Sequence, residues 1–354
     1  MLKSSAVAAS RRGLITGAVA AAAYAAAPKD AGAMLAGRQR TLNIASTGLH
    51  AADQATWEGW LGRKGDAIAF YGGFTLSLSD FDYGSLSYMF RSGNLASLAA
   101  NYSVISISLP LFCTPSAGYG TESLATVAPG GSLNAAYVTH QTSIANYLAS
   151  VIPSNVKRII LRLGWEFNGN WYPHCPGNAI NSGLSLAANA VLYDQIVGQY
   201  YAILLATGLP FELWFPLAAG NNGAGWSWDW TQAFNPARGY VGISLDRYYT
   251  PVSVGGFDNN NSSTAWTNAL NGQVGLTAIA NFALAQGLPL GVHEWGQNID
   301  DLNWFNLFTA WMKSKRVAFQ GYFEDLELTT TPTWSLSGGQ YPTIGAAYQA
   351  AFGP

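Results

Sequence analysis

Eight short runs of β-branched and aromatic residues, each closing near a Gly, Asn, Asp or Pro, recur along this chain, and their spacing limits the architectures open to it. They fall at 42–46, 68–74, 104–111, 158–166, 211–217, 241–248, 288–295 and 318–324. Between them lie stretches of helical period, at 134–151, 188–207, 264–286 and 303–315, each long enough for the crossover that parallel strands require. This alternation predicts the α/β class, and eight such units close into a single (β/α)8 TIM barrel with decorated βα loops. An open doubly wound sheet is the competing architecture, but its Gly-rich turn is missing. The first run ends in Ala45-Ser46-Thr47-Gly48, no P-loop pattern occurs, and the Gly/Asn stretch at 220–225 is followed by neither Lys nor a helix start. Nucleotides are therefore disfavoured, and no cofactor is expected.

Charge narrows the partners. The 17 basic and 19 acidic residues leave a net charge of -2 and form no basic stripe that would track a phosphate backbone, so nucleic acid is excluded as a partner. The 13 Trp and 18 Tyr supply flat faces that stack on sugar rings, which makes carbohydrate the first suspect. At the N-terminus, Arg11 and Arg12 precede an Ala-rich apolar stretch at 13–27 and small residues at 31–33, the pattern of a twin-arginine export signal. The apolar part falls short of the ~20 residues a spanning helix needs. A cleaved signal over 1–33 and a single domain over 34–354 are expected, with no stable membrane insertion, a periplasmic or extracellular location, and a monomer.

Two cysteines, Cys113 and Cys175, each follow a predicted strand, and neighbouring strands would put both thiols in loops on one face. One disulfide is expected in an oxidising compartment, against the alternative of two buried, unpaired thiols. The four His are scattered, and His293-Glu294 lacks the second His that a zincin helix requires, so no catalytic metal is expected.

In such a barrel the chemistry sits at the C-terminal strand ends, and two predicted strands end in a glutamate. With a side-chain period of two, Arg162, Gly164 and Glu166 share a face, as do Val292 and Glu294, so both carboxylates are expected to point into the barrel mouth. Strands four and seven lie almost opposite each other, and two acids flanking a bound polymer form a glycosidase geometry. Retention needs a gap of about 5–5.5 Å and inversion roughly 6.5–9.5 Å. Taken singly, each glutamate could instead be a buried carboxylate paired with Arg162 or with backbone donors.

The stretch Arg162-Leu-Gly-Trp-Glu166-Phe-Asn168-Gly169-Asn170-Trp171-Tyr172-Pro173 resembles the acid/base motif of glycoside hydrolase family 26, in clan A. Val292-His-Glu294-Trp-Gly296 resembles the clan's nucleophile motif, and the stretch from Tyr240 through Asp246 to Tyr248 resembles the end of its sixth strand. The resemblance implies Glu166 as acid/base, Glu294 as nucleophile, and Tyr248 orienting the nucleophile, with Arg162 or Tyr248 stabilising its charge. Many members carry His where this chain has Trp165, which implies a different sugar or subsite shape. Trp171, Tyr172 and Trp295 are expected as subsite walls, with Trp165, Asn168, Asp246 and His293 as further substrate contacts. Trp226 and Trp228 either form a stacking face or pin their own loop. The implied protein is a secreted, retaining, endo-acting hydrolase of a β-glucan or β-mannan type polysaccharide. A non-catalytic carbohydrate-binding barrel and a transglycosylase are the alternatives.

Overall fold

The computed structural model describes residues 42–46, 51–72, 94–220, 228–324 and 334–354. Eight parallel strands form a closed barrel in sequence order, β8 pairing with β1: β1 (Leu42–Ser46), β2 (Ala67–Tyr71), β3 (Val104–Leu109), β4 (Arg158–Leu163), β5 (Phe211–Ala218), β6 (Gly242–Tyr249), β7 (Leu290–Gln297) and β8 (Phe319–Phe323). The helices are α1 (Ala51–Leu61), α2 (Asn94–Ala99), α3 (Leu124–Val127), α4 (Asn134–Val151), α5 (Leu186–Leu205), α6 (Ser262–Asn271), α7 (Leu276–Ala285), α8 (Leu302–Lys315) and α9 (Pro342–Phe352). The expected helix over 264–286 is two helices. Its break lies at 272–275, where Gly272 (ψ 162°) and Gly275 (ψ 159°) leave the helical conformation, and a Cβ on Gly275 in this turn would sit 2.5 Å from the Leu270 carbonyl.

Strand alternation sorts the core into two parts. Ile105, Ile107, Ile159, Leu161, Leu213, Phe215, Ile243 and Leu245 face the helices, while Leu42, Ile44, Ala67, Ala69, Val104, Ile160, Trp214 and Phe319 fill the barrel interior. Large and small residues interlock there. Trp214 and Phe319 meet edge to face at 4.7 Å, and they fit because Gly242 and Gly291 lack the Cβ that would overlap them. Above this apolar floor the interior turns polar, with Ser106, Ser108, Arg162, Ser244, Asp246 and His293 all buried. A packed floor beneath a polar mouth is what positions the site.

Candidate active site

Arg162 of β4 is the hub of the mouth. Its Nη1 donates to both carboxylate oxygens of Asp246 at 2.6 Å, its Nη2 donates to Glu294 Oε1, and its Nε donates to Ser108 Oγ at 3.0 Å. Tyr248, two residues beyond Asp246 on β6, donates its hydroxyl to Glu294 Oε2 at 2.7 Å. Asp246 Oδ1 also accepts the Glu294 backbone N–H at 3.1 Å. Both oxygens of Glu294 are therefore held by donors. Burial works against the charge on Arg162, but Asp246 and Glu294 on either side hold its pKa above the ordinary value.

Simple strand pleating does not place Glu294 there. Val292 lies in the helix-facing core, whereas His293 lies inside the barrel against Ser106 and Phe319. The β6–β7 register shifts between Leu245 and Asp246, and the β7–β8 register shifts between Val292 and Trp295. This irregularity turns Glu294 inward, so it does not share a face with Val292 as expected.

Glu166 reaches the mouth by a different route from the one expected. β4 ends at Leu163, and Gly164 (φ 60°) and Glu166 (φ 51°) turn the chain over the barrel end. A left-handed backbone costs a non-glycine residue on the order of 1–2 kcal/mol, so the surroundings must hold it. Phe167 is buried between Tyr193 and Phe215, at ring separations of 4.6 and 4.9 Å. Asn168 clamps the turn to the end of β5, donating to the Ala218 carbonyl and accepting from its N–H, both at 2.8 Å. Trp171 Nε1 donates to Glu166 Oε2 at 2.8 Å. Burial, and then the nearby Glu294 carboxylate, push the Glu166 pKa up to about 7, against the opposing pull of Trp171, Arg162 and Tyr172. The two acids therefore sit in contrasting environments: one held by a guanidinium and a phenol, the other driven toward its neutral form.

Asp246, His293 and Glu294 offer donor atoms within 4.8 Å of one another, the spacing of a metal site. The guanidinium of Arg162 already binds both carboxylates and supplies the positive charge a metal ion would bring, while His293 Nε2 is turned toward Ser106 Oγ. Burial and the charge on Arg162 lower the His293 pKa well below its ordinary value. The donor set fits the protein's own cation and not a divalent metal.

Other expected contacts divide sharply. Trp171 is 37% exposed and Tyr172 half-buried, so both can meet a ligand at the rim. Trp165 is buried beside Tyr172 and His174 and bonds the Tyr172 hydroxyl, acting one step behind Glu166. Asn168 has both polar ends committed to Ala218, and His293 lies wholly inside the barrel. Trp295 is not a subsite wall: it points outward and packs on Phe305, Phe308 and Tyr322. Trp228 is buried against Phe167, which favours the loop-pinning role, and Trp226 lies outside the described residues.

The expected disulfide is absent. Cys113 and Cys175 are buried free thiols in separate surroundings. Cys113 Sγ meets the Tyr137 hydroxyl of α4 at 3.0 Å, whereas Cys175 Sγ lies under the Glu166 turn. Adjacent strands put the two thiols on one end of the barrel, but each points into the packing of its own loop.

Two aromatic residues of the mouth escaped the sequence reading. Tyr71 ends β2 on its interior face, edge-on to His293 at 6.1 Å, and the alternation of Ala67, Ala69 and Tyr71 carried that signal. Trp334 stands 4.9 Å from Tyr248 and above Gly296, whose missing side chain lets it approach. Nothing local in the sequence marks Trp334. Its neighbours are fixed by Glu324, which accepts from Ser335 Oγ and the Leu336 N–H at 2.8 Å and from Ser337 Oγ at 2.7 Å.

Fold and site together define a (β/α)8 barrel with a carboxylate pair at the mouth of its C-terminal strand ends. No protein-family model and no curated protein matches the chain. Solved structures share its fold. A glycoside hydrolase family 26 β-mannanase from Bacteroides ovatus is similar with a TM-score of 0.64 at 12% identity, over 95% of this chain and 94% of that one. A family 26 structure from Muricauda gives 0.61 at 14% identity, over 92% and 89%. A modular endo-β-1,4-mannanase of the same family from Cellulomonas fimi gives 0.60 at 16%, over 88% and 73%.

Proposed function

We propose that the protein is an exported, retaining glycoside hydrolase that cleaves internal bonds of a β-linked polysaccharide with a glucan or mannan type backbone. The observation that carries this reading is the contrast between the two mouth acids. Glu294 is held by Arg162 and Tyr248, while Glu166 has its pKa pushed up to about 7. One is suited to be the nucleophile, the other a proton donor at neutral pH. The mannanases among the fold neighbours support the substrate class, and the endo-β-1,4-mannanase from Cellulomonas fimi supports internal cleavage.

In the first step Glu294 attacks the anomeric carbon while Glu166 transfers its proton to the departing glycosidic oxygen, leaving a covalent glycosyl ester on Glu294. Arg162 and Tyr248 orient the attacking carboxylate and release it as its charge is spent. Glu166, now a carboxylate, takes a proton from water, whose oxygen attacks the same carbon and frees Glu294. Two inversions give net retention. Trp171 and Tyr172 form the rim against which a sugar ring would stack. Export rests on Arg11, Arg12 and the apolar segment after them, which lie outside the described residues. No helix among the described residues is long and apolar enough to cross a membrane. A catalytic unit over 34–354 acting as a monomer completes the reading.

The test is product release from a panel of β-mannans, β-glucans, xylans and bacterial exopolysaccharides, with Glu294→Ala alongside. Oligosaccharides that vanish in the variant, with retained anomeric configuration by NMR, support the reading. Equal binding of one polymer by both proteins without cleavage overturns it in favour of a binding barrel, and longer products in place of shorter ones indicate transglycosylation.

A further inference from the structure

Glu166 sits in a turn whose successive carbonyls are all met by buried side-chain donors. The Tyr193 hydroxyl, from α5, is shared between the Leu163 carbonyl at 2.9 Å and the Gly164 carbonyl at 3.1 Å. His174 Nε2 lies 2.9 Å from the Trp165 carbonyl, and Cys175 Sγ lies 3.4 Å from the Glu166 carbonyl. A carbonyl only accepts, so His174 carries its proton on Nε2. All three donors have no exposed surface. Two of them approach because Gly164 has no side chain: a Cβ there would lie 2.9 Å from the Tyr193 ring and 3.2 Å from His174.

The backbone angles of Glu166 are set by the two peptide planes that flank it. The preceding plane carries the Trp165 carbonyl, which His174 holds. The following plane carries the Glu166 carbonyl, which Cys175 holds together with the Gly169 N–H at 2.9 Å. For Glu166 to relax out of φ 51°, at least one of these planes must rotate and its carbonyl must leave its donor.

We propose that His174, Cys175 and Tyr193 are positioning residues for Glu166. They fix the carbonyls of residues 163–166, hold the left-handed backbone, and so aim the Glu166 carboxyl at the mouth. None of the three touches the Glu166 carboxyl; His174 also stacks on Tyr172 of the rim, at 5.3 Å, while Tyr193 and Cys175 act through the peptide planes. The inference rests on the reading of Glu166 as proton donor. It also accounts for the free state of Cys175, whose thiol is used as a hydrogen-bond donor. The charged and titratable groups that bear on Glu166 include Glu294, Arg162, Tyr172, Asp246, Tyr248 and Cys175, with Trp171 donating to it. Burial lowers the His174 pKa to about 4 and raises that of Cys175, so both keep their protons where Glu166 titrates.

The test compares the purified protein with Tyr193→Phe, His174→Phe, His174→Gln and Cys175→Ala. The Glu166 carboxyl is titrated by carbon-detected NMR, its signal assigned with Glu166→Gln, and turnover is measured on aryl glycosides of good and poor leaving groups. His174→Phe and Tyr193→Phe are expected to lower the Glu166 pKa by about one unit as the carboxyl gains solvent. They should also lower turnover roughly tenfold on poor leaving groups while sparing good ones, and His174→Gln, which replaces the Nε2 donor, should restore both. An unchanged titration and leaving-group dependence in folded His174→Phe overturns the proposal. If that variant does not fold, Tyr193→Phe, which removes a single oxygen, decides on the same two readouts. The titration needs no substrate: a shifted Glu166 in a protein that cleaves no glycan sinks the hydrolase reading and leaves the positioning role standing. An active enzyme with an unmoved titration does the reverse.

Discussion

Asp246 grips one nitrogen of Arg162 with both its carboxylate oxygens, and the other terminal nitrogen of the same guanidinium is thereby turned onto Glu294. The aspartate thus acts on Glu294 twice, through the arginine and through the Glu294 backbone N–H. Asp246→Asn is expected to destabilise the fold by about 3 kcal/mol, because it breaks a buried ion pair without removing the arginine. Denaturant unfolding measures it, and a loss below about 1 kcal/mol would count against a tightly coupled cluster.

Tyr248→Phe removes one donor from Glu294 and little packing. A hydrogen bond to a charged group is worth about 1.5–3 kcal/mol, so kcat/KM should fall on the order of 10- to 100-fold with the melting temperature nearly unchanged. Steady-state kinetics alongside thermal melting check both halves.

The pKa of about 7 at Glu166 has two consequences. Activity that needs the protonated acid should decline on an alkaline limb near pH 7. Stability has a matching sign: a carboxyl raised above its unfolded value favours folding most below about pH 4, and that contribution is lost as pH climbs through 7. Glu166→Gln should therefore stabilise the protein at pH 8, by at most about 3 kcal/mol, and do nothing at pH 4. Melting curves at the two pH values separate the outcomes.

Trp171→Phe keeps a ring at the rim but loses the N–H that favours the Glu166 carboxylate. The alkaline limb should move to higher pH by about half a unit to one unit. A limb that moves the other way would mean that solvent entry outweighs the lost donor.

Both cysteines are free and buried. Thiol titration should give no reaction in the native protein and two thiols in denaturant, and reducing agents should leave the melting temperature unchanged.

The barrel was legible in the sequence because each strand is a compact apolar run closed by a turn residue, and a pattern of eight with crossover-length spacers has few solutions. The chemical pair was legible because Glu166 and Glu294 each close such a run. What pleating could not give was how they arrive. Glu166 lies past the end of β4 on a left-handed turn, and Glu294 turns inward at a register shift, both of which are decided by tertiary contacts. Trp295 was misjudged for the same reason, since one residue of slip sends a side chain to the other side of the sheet. Tyr71 sat on a readable interior face, whereas Trp334 depends on Ser335, Leu336 and Ser337 being tethered to Glu324, a contact between segments that carries no local signature.

The interlocked layer of Trp214, Phe319, Gly242 and Gly291 seals the barrel below the polar residues. The acids are therefore approached from the rim side of the barrel. Whatever binds there must come and go by the same opening, and a long chain can only lie across that rim with a short stretch dipping toward the acids. Traffic at the site is thus governed by the loops around the rim, while the sealed half beneath is free to vary in sequence as long as its volume is kept.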